Sequence, residues 1–174
     1  MMKINSVVVG PLEENCYLLE QGEELLIVDP GDEANKIIDA IGKRNVHAIL
    51  ITHRHFDHVG ALGDLVSKYH VPVYDRASLE EKQYQIGPFK FQVMFTPGHS
   101  SDSVTYYFEE EKVMIVGDFV FYRSIGRTDL ETGSMTEMQK SIERLKQYPD
   151  DTTLYPGHGP RTLLGSEKRE NLYF

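Results

Sequence analysis

Residues 52–58 carry the densest set of metal-binding side chains in the chain, in the order Thr52-His53-Arg54-His55-Phe56-Asp57-His58. Neutral imidazole and carboxylate are the ligands that Zn²⁺ takes where no thiolate is offered. In an extended loop the side chains of His53 and His55 point the same way, whereas Asp57 and His58 fall at the next turn. Because four donors so close together fit one tetrahedral ion poorly, this stretch predicts two adjacent metal ions.

Further donors follow short apolar runs elsewhere in the chain. Pro cannot donate a ladder hydrogen bond and Gly allows a positive φ, so a Pro-Gly pair ends a strand sharply and presents the next side chain. The tripeptide Pro-Gly-His occurs twice, at residues 97–99 and 156–158. Ligands of α/β sheets usually bind beyond one edge of the strands. We therefore expect the side chains that follow strands to converge there: Asp29, His53, His99, Asp118 and His158.

The wider pattern of apolar residues predicts an α/β layered domain. Helical spacing over residues 34–41 and 59–69 predicts two helices. A third begins at a capping box from Ser134 to Glu137 and ends before Pro149. Short runs rich in β-branched residues predict eight strands: 7–9, 16–19, 25–28, 48–51, 91–95, 104–108, 113–116 and 153–155.

Length and composition limit the class of protein. The chain has 174 residues, of which 40% are hydrophobic and 26% charged, which excludes disorder, collagen and coiled coil for the whole chain. This length predicts one domain over residues 1–174. The net charge of −9 repels phosphate backbones, so we expect no nucleic-acid partner. The last five residues, 170–174, spell most of a protease tag site; we prefer the native interpretation because the glutamine of that tag is missing.

The single cysteine and the apolar runs bear on location. Cys16 has no partner for an internal disulfide and is expected to be a small core residue. No run reaches the roughly 18 apolar residues of a membrane helix, and the first residues do not resemble a signal peptide. We therefore expect a cytoplasmic protein without a membrane partner. His47 and His70 stand apart from other ligand-type residues and are expected to be structural or solvated.

The motif His53-x-His55-x-Asp57-His58, followed by His99, Asp118 and His158, resembles that of the metallo-β-lactamase superfamily. It resembles most the hydroxyacylglutathione hydrolase (glyoxalase II) branch, in a single-domain form without the C-terminal helical domain. Supporting stretches are Gly10-Pro11, Asn15-Cys16-Tyr17, Asp29-Pro30-Gly31, Gly126-Arg127-Thr128-Asp129 and Pro156-Gly157-His158-Gly159-Pro160. The resemblance implies a four-layer αββα sandwich with a two-metal site at one edge of its sheets.

The resemblance also implies a role for each motif residue. The first metal would be held by His53, His55 and His99, and the second by Asp57, His58 and His158, with Asp118 bridging both. Asp29 would orient a ligand histidine. The two ions would be divalent, with zinc as the first choice and iron or manganese as alternatives. Lactam hydrolysis is not expected, because Asp118 stands where di-zinc β-lactamases have Cys.

The activity implied is hydrolysis of a small-molecule thioester by a hydroxide that bridges the two metals. Asp57 and Asp118 would be the catalytic carboxylates, with Asp57 orienting the hydroxide. Tyr122, Arg123 and Arg127 follow Asp118 and are candidates for binding a substrate carboxylate.

Two alternatives stay open at this point. In a persulfide dioxygenase with a single iron, His53, His99 and Asp118 would form the two-histidine, one-carboxylate face. In a metal-binding module without catalysis, the same residues would be only ligands. We favour the hydrolase because residues 126–129 and 58–60 are more similar to that branch.

Overall fold

Two main β-sheets and five helices build the chain in the computed structural model, which describes residues 1–174. The strands are β1 (Lys3–Val9), β2 (Glu14–Gln21), β3 (Glu24–Val28), β4 (Asn45–Leu50), β5 (Val73–Tyr74), β6 (Gln83–Ile86), β7 (Phe89–Phe95), β8 (Val104–Phe108), β9 (Val113–Gly117), β10 (Val120–Phe121), β11 (Ser124–Ile125), β12 (Thr153–Pro156) and β13 (Thr162–Leu163). The helices are α1 (Ala34–Ile41), α2 (Phe56–Val59), α3 (Leu62–Tyr69), α4 (Met135–Leu145) and α5 (Leu164–Glu170).

Both main sheets mix antiparallel and parallel pairs. The first has the order β1-β2-β3-β4-β5 and becomes parallel from β3 onward, where α1 and then α2 with α3 cross between strands. The second has the order β13-β12-β9-β8-β7-β6, and only its β9–β12 pair is parallel, with α4 in the crossover. Parallel neighbours need such long connections. The remaining pair, β10 and β11, forms a small hairpin beside the second sheet.

Alternating side chains of β2 show how the layers form. Tyr17 and Leu19 enter the core between the two sheets, where they join residues of β7 and β8. Cys16 and Leu18 point the other way, into a core with α1 and α3. Successive side chains of a strand face opposite sides, so one strand serves two cores. Helix α4 covers the far face of the second sheet. The expected four-layer αββα sandwich is thereby confirmed.

The local sequence signals correspond closely to the observed elements. All eight predicted strands are present, and α1 covers the predicted residues. At α4 the Ser134 side chain accepts a hydrogen bond from the Glu137 backbone N–H, as the capping box predicts. The short β5, β6, β10, β11 and β13, and helix α5, were not predicted, since they lack a long apolar run.

The helix predicted over residues 59–69 is wrong in its extent. The structure has two helices there, α2 and α3, separated at Gly60 and Ala61. The chain at Gly60 runs against the loop after β3: a Cβ on Gly60 would lie 2.3 Å from the Gly31 carbonyl oxygen. The Ala61 N–H donates to the Pro30 carbonyl at 3.0 Å. These tertiary contacts separate α2, which contains the motif residues Asp57 and His58, from α3. The spacing of apolar residues alone does not predict this separation.

None of the five helices combines the length and the apolar character needed to cross a lipid bilayer.

Candidate metal centre

Five strands of the two sheets end at one shared edge, and each delivers a polar side chain there. Asp29 follows β3, His53 comes three residues after β4, and Asp118 follows β9 directly. His99 lies after β7 and His158 after β12, each behind its Pro-Gly pair. The predicted convergence at a sheet edge is therefore present in the structure.

The donor atoms fall into two adjacent groups. One group is His53, His55 and His99, and the other is Asp57, His58, Asp118 and His158; within each, the candidate ligand atoms lie within 4.8 Å of one another. Asp118 faces both groups. Its Oδ2 lies 3.4 Å from His99 Nε2 and 3.5 Å from His158 Nε2, and its Oδ1 lies 3.3 Å from His58 Nε2.

Unpartnered atoms in this cluster indicate that it fits metal ions. His53 Nε2, His58 Nε2 and Asp118 Oδ1 are buried and make no hydrogen bond. Buried polar atoms in proteins nearly always have a partner. Because these three atoms face the two donor groups, and because imidazole and carboxylate suit divalent transition metals, the residues present fit a pair of such ions.

Asp29 is the residue that orients the buried histidines. It is 2% exposed and holds a left-handed backbone, with φ of 51°. Its Oδ1 accepts from the Thr52 backbone N–H at 2.7 Å, and its Oδ2 accepts from the Thr52 hydroxyl at 2.5 Å and from His58 Nδ1 at 2.8 Å. The proton on His58 Nδ1 leaves Nε2 free as a ligand.

Thr52 extends this control to the other group of donors. Its hydroxyl proton is committed to Asp29, so its oxygen is the acceptor for His53 Nδ1, which lies 3.0 Å away. His53 therefore also presents Nε2 to the cluster. No sequence motif predicted this role of Thr52, although its place directly before His53 was the available signal.

Backbone carbonyls orient the next two histidines. His99 Nδ1 donates to the Arg127 carbonyl at 2.8 Å, and His158 Nδ1 donates to the Leu12 carbonyl at 3.0 Å. Such contacts fix ring orientation and the tautomer that binds metal. Asn15, which belongs to a stretch that carries the family resemblance, donates its side-chain amide to the carbonyls of Pro156 and Gly159, both at 3.0 Å. It thereby joins the first sheet to the loop that carries His158.

Two glycines allow the tight packing around Asp118. A Cβ on Gly157 would lie 2.3 Å from Asp118 Oδ1, and a Cβ on Gly126 would lie 1.8 Å from the Asp118 carbonyl oxygen. Any side chain at either position would displace Asp118.

Burial and charge set the protonation of the site. Desolvation lowers the pKa of His53 and of His99, so both imidazoles are neutral, as a ligand requires. Burial opposes ionisation of Asp118, but the neighbouring imidazoles of His158 and His58 outweigh it and hold the pKa of this carboxyl well below its usual range. Glu14, 3.6 Å from His58 Nδ1, differs: burial raises the pKa of its carboxyl to about 10, so it is neutral.

The three candidate substrate-binding residues are not gathered at the cluster as free groups. The Arg123 guanidinium pairs with the buried Glu167 and with Glu170. Arg127 forms a two-point pair with Asp129, at 2.7 and 2.9 Å. Tyr122 is 53% exposed, and its ring contacts the Arg123 guanidinium. The structure thus commits both guanidinium groups to carboxylates of the chain itself.

Curated relatives match along almost the whole chain. A probable metallo-hydrolase of Bacillus subtilis strain 168, YqgX, is 36% identical over 98% of this chain and 96% of its own. The hydroxyacylglutathione hydrolase GloC of Haemophilus influenzae is 31% identical over 98% of this chain and 97% of its own.

Solved structures share the same architecture. BLEG-1, a B3 metallo-β-lactamase, matches with a TM-score of 0.93 and 34% identity over 98% of this chain and 99% of its own. TTHA1623 in a di-iron-bound form matches with a TM-score of 0.90 and 36% identity over 98% and 100%. ETHE1 from Myxococcus xanthus matches with a TM-score of 0.89 and 26% identity over 98% and 84%. The family model of the metallo-β-lactamase superfamily matches residues 9–82 and 75–158. With this family match and these relatives, the chain belongs to the metallo-β-lactamase superfamily.

Proposed function

We propose that the protein is a hydrolase that uses two divalent metal ions, with zinc as the first choice, to cleave small-molecule thioesters. The observation that carries this proposal is the pair of adjacent donor groups with Asp118 facing both. Similarity to GloC along nearly the entire chain supports a thioester as the substrate. The di-iron form of TTHA1623 supports two ions and keeps iron as an alternative to zinc.

The two donor groups define what the bound ions would contribute. One ion would be held by His53, His55 and His99. The other ion would be held by Asp57, His58 and His158, and Asp118 would contact both ions. When bound, such a pair of ions supplies an activated water and polarises the carbonyl that is attacked.

We assign to the Asp57 side chain the orientation of the attacking water. Its Oδ2 lies 3.0 Å from His158 Nε2, and the side chain keeps 14% of its surface exposed. Burial opposes ionisation of Asp57, but the adjacent imidazole of His158 outweighs it and lowers the pKa of this carboxyl. The ionised carboxylate accepts a hydrogen bond from the water and orients it toward the thioester carbon. The thiolate that leaves needs little acid assistance, since free thiols have a pKa of about 8.5.

Parallel assays test this proposal on the metal-free protein reconstituted with Zn²⁺. We expect hydrolysis of S-lactoylglutathione and of a neutral thioester, with kcat/KM values that differ by no more than about 100-fold, because both nearby guanidinium groups are already paired. Asp57→Asn should lose most of the kcat, whereas the exposed Asp64→Asn is the matched control. An unchanged kcat in Asp57→Asn would contradict the role of Asp57 in orienting the water. Absence of any thioester hydrolysis would refute the proposal. A chromogenic β-lactam serves as the third substrate, and hydrolysis of it alone would replace the thioester with a lactam.

A second candidate, a persulfide dioxygenase with one iron, is favoured by the geometry around one oxygen. Asp118 Oδ2 lies 3.7 Å from His53 Nε2 and 3.4 Å from His99 Nε2, which is a two-histidine, one-carboxylate face. The similarity to ETHE1 keeps this candidate in view. Oxygen uptake that depends on a persulfide in the Fe²⁺-loaded protein, without thioester hydrolysis, would establish it in place of the hydrolase.

A further inference from the structure

An apolar cavity of about 250 Å³ opens directly beside the second donor group. It lies between the loop that joins β1 to β2 and the start of α2. Val9, Pro11 and Leu12 line it from the loop, and Phe56 and Asp57 line it from the helix. Asp57 belongs both to the cavity lining and to the second donor group, so the cavity lies next to the metal centre.

Two large apolar side chains stand exposed at this cavity. Phe56 is 75% exposed and Leu12 is 51% exposed. Exposed apolar groups that border a functional site commonly mark a ligand surface. Both positions are fixed relative to the donors, since Phe56 precedes Asp57 in α2 and the Leu12 carbonyl accepts the hydrogen bond of His158. The two side chains therefore flank the cavity beside the candidate metal ligands.

The cavity lining carries no cationic side chain. The ionisable residues of its lining are Asp32 and Asp57, both acidic. Arg123 and Arg127, which follow the ligand Asp118, are already paired with carboxylates. No lining side chain would therefore pair with a carboxylate on a substrate arm, whereas the apolar part of the lining suits an uncharged arm.

We infer that this cavity binds an uncharged, apolar arm of the thioester substrate, so that the enzyme prefers hydrophobic thioesters to S-lactoylglutathione. This inference rests on the proposed thioester hydrolysis. The apolar arm can belong to the acyl group or to the thiol, because both extend from the carbonyl that reacts.

Two substrate series distinguish the acyl arm from the thiol arm. The first varies the acyl group from acetyl to octanoyl on N-acetylcysteamine, and the second varies the alkyl thiol from methyl to octyl on an acetyl group. Burial of a methylene changes a binding equilibrium about fourfold, so kcat/KM should rise about fourfold per methylene in one series until the cavity is full. The series that shows the rise identifies the arm.

Variants connect this rise to the cavity. Phe56→Ala and Leu12→Ala should each lower about tenfold the ratio of kcat/KM for the longest substrate to kcat/KM for the shortest. Leu163→Ala is the matched control, since Leu163 is 48% exposed and lies outside the cavity lining. A flat dependence on chain length in both series, or an equal slope in wild type and both cavity variants, would overturn the inference while leaving thioester hydrolysis intact.

A binding measurement separates the two proposals if no thioester is hydrolysed. That outcome refutes the proposed function, and calorimetry with 1-hexanol, a water-soluble apolar chain that fits the cavity volume, then decides whether the cavity binds an apolar arm. Binding to the zinc-loaded protein that weakens about tenfold in Phe56→Ala supports an apolar subsite. Absence of binding, or equal binding by Phe56→Ala, overturns it.

Discussion

Replacing Asp29 by Asn isolates the charge that orients the buried histidines. Asn tolerates the left-handed backbone of this position, where φ is 51°, so the turn stays intact. The Asn carbonyl oxygen can keep the bond from the Thr52 backbone N–H. Its amide nitrogen, however, replaces the oxygen that accepts from the Thr52 hydroxyl and from His58 Nδ1. An acceptor is thereby exchanged for a donor at two contacts.

The consequence is a change of tautomer at the candidate metal ligands. Facing a donor, His58 Nδ1 must accept, which moves its proton to Nε2, the atom that points toward Asp118. The Thr52 hydroxyl, once it accepts from Asn, donates to His53 Nδ1 and shifts that ring in the same way. We expect metal affinity to fall about 10–100-fold, the usual effect of losing such a carboxylate, or about 1.4–2.7 kcal/mol.

Competition with a chromophoric chelator measures the affinity of both ions in the wild type and in Asp29→Asn. The exposed Asp39→Asn, on α1, serves as the matched control for loss of one charge. Thermal unfolding of the metal-free proteins separates a loss of ligand orientation from a loss of fold. Affinities in Asp29→Asn within twofold of the wild type for both ions would refute the reasoning, and would leave Asp29 as a residue that only shapes its turn.

The remaining predictions concern Thr52, Asp118 and Glu167. Thr52→Val leaves His53 Nδ1 without its acceptor and should lower the affinity for one of the two ions about tenfold, whereas Thr52→Ser should keep the wild-type affinity in the same chelator titration. Equal affinities in both variants would contradict the orientation of His53 by Thr52. Asp118→Asn removes the charge that faces both groups, so elemental analysis should find at least one ion lost and assays most activity lost, while full metal content would argue against a bridge. Glu167→Ala leaves Arg123 without its buried partner and should lower the free energy of unfolding by about 3 kcal/mol in urea titrations, with metal content unchanged; an unaltered free energy would contradict a structural role.

Local signals in the sequence account for much of the fold. The Ser134–Glu137 capping box predicts the start of α4, because both its partners lie within one turn. Pro-Gly pairs after β7 and β12 predict where His99 and His158 leave their strands. The acidic residues before α1 predict its beginning, yet Glu33 does not cap the helix with its side chain and adopts a left-handed backbone instead. Its carboxylate accepts from the Gly10 backbone N–H, a contact between distant segments.

Features formed by distant segments escape such reasoning. The sequence suggests Arg123 as a substrate contact, but the fold places it against Glu167, 44 residues further along the chain. The apolar cavity likewise forms only when the loop at Leu12 meets α2 at Phe56. Neither Leu12 nor Phe56 has a local sequence pattern that distinguishes it from an ordinary exposed side chain. The candidate metal ligands were recognisable because their chemistry is specific, whereas pairing and cavities depend on the folded arrangement.

The most direct test of a two-metal thioester hydrolase is a titration of the metal-free protein with Zn²⁺ while thioester hydrolysis is measured. The two donor groups predict that activity rises and saturates when two ions are bound per chain. Saturation at one ion, or a protein that holds two ions and hydrolyses no thioester, would contradict the account.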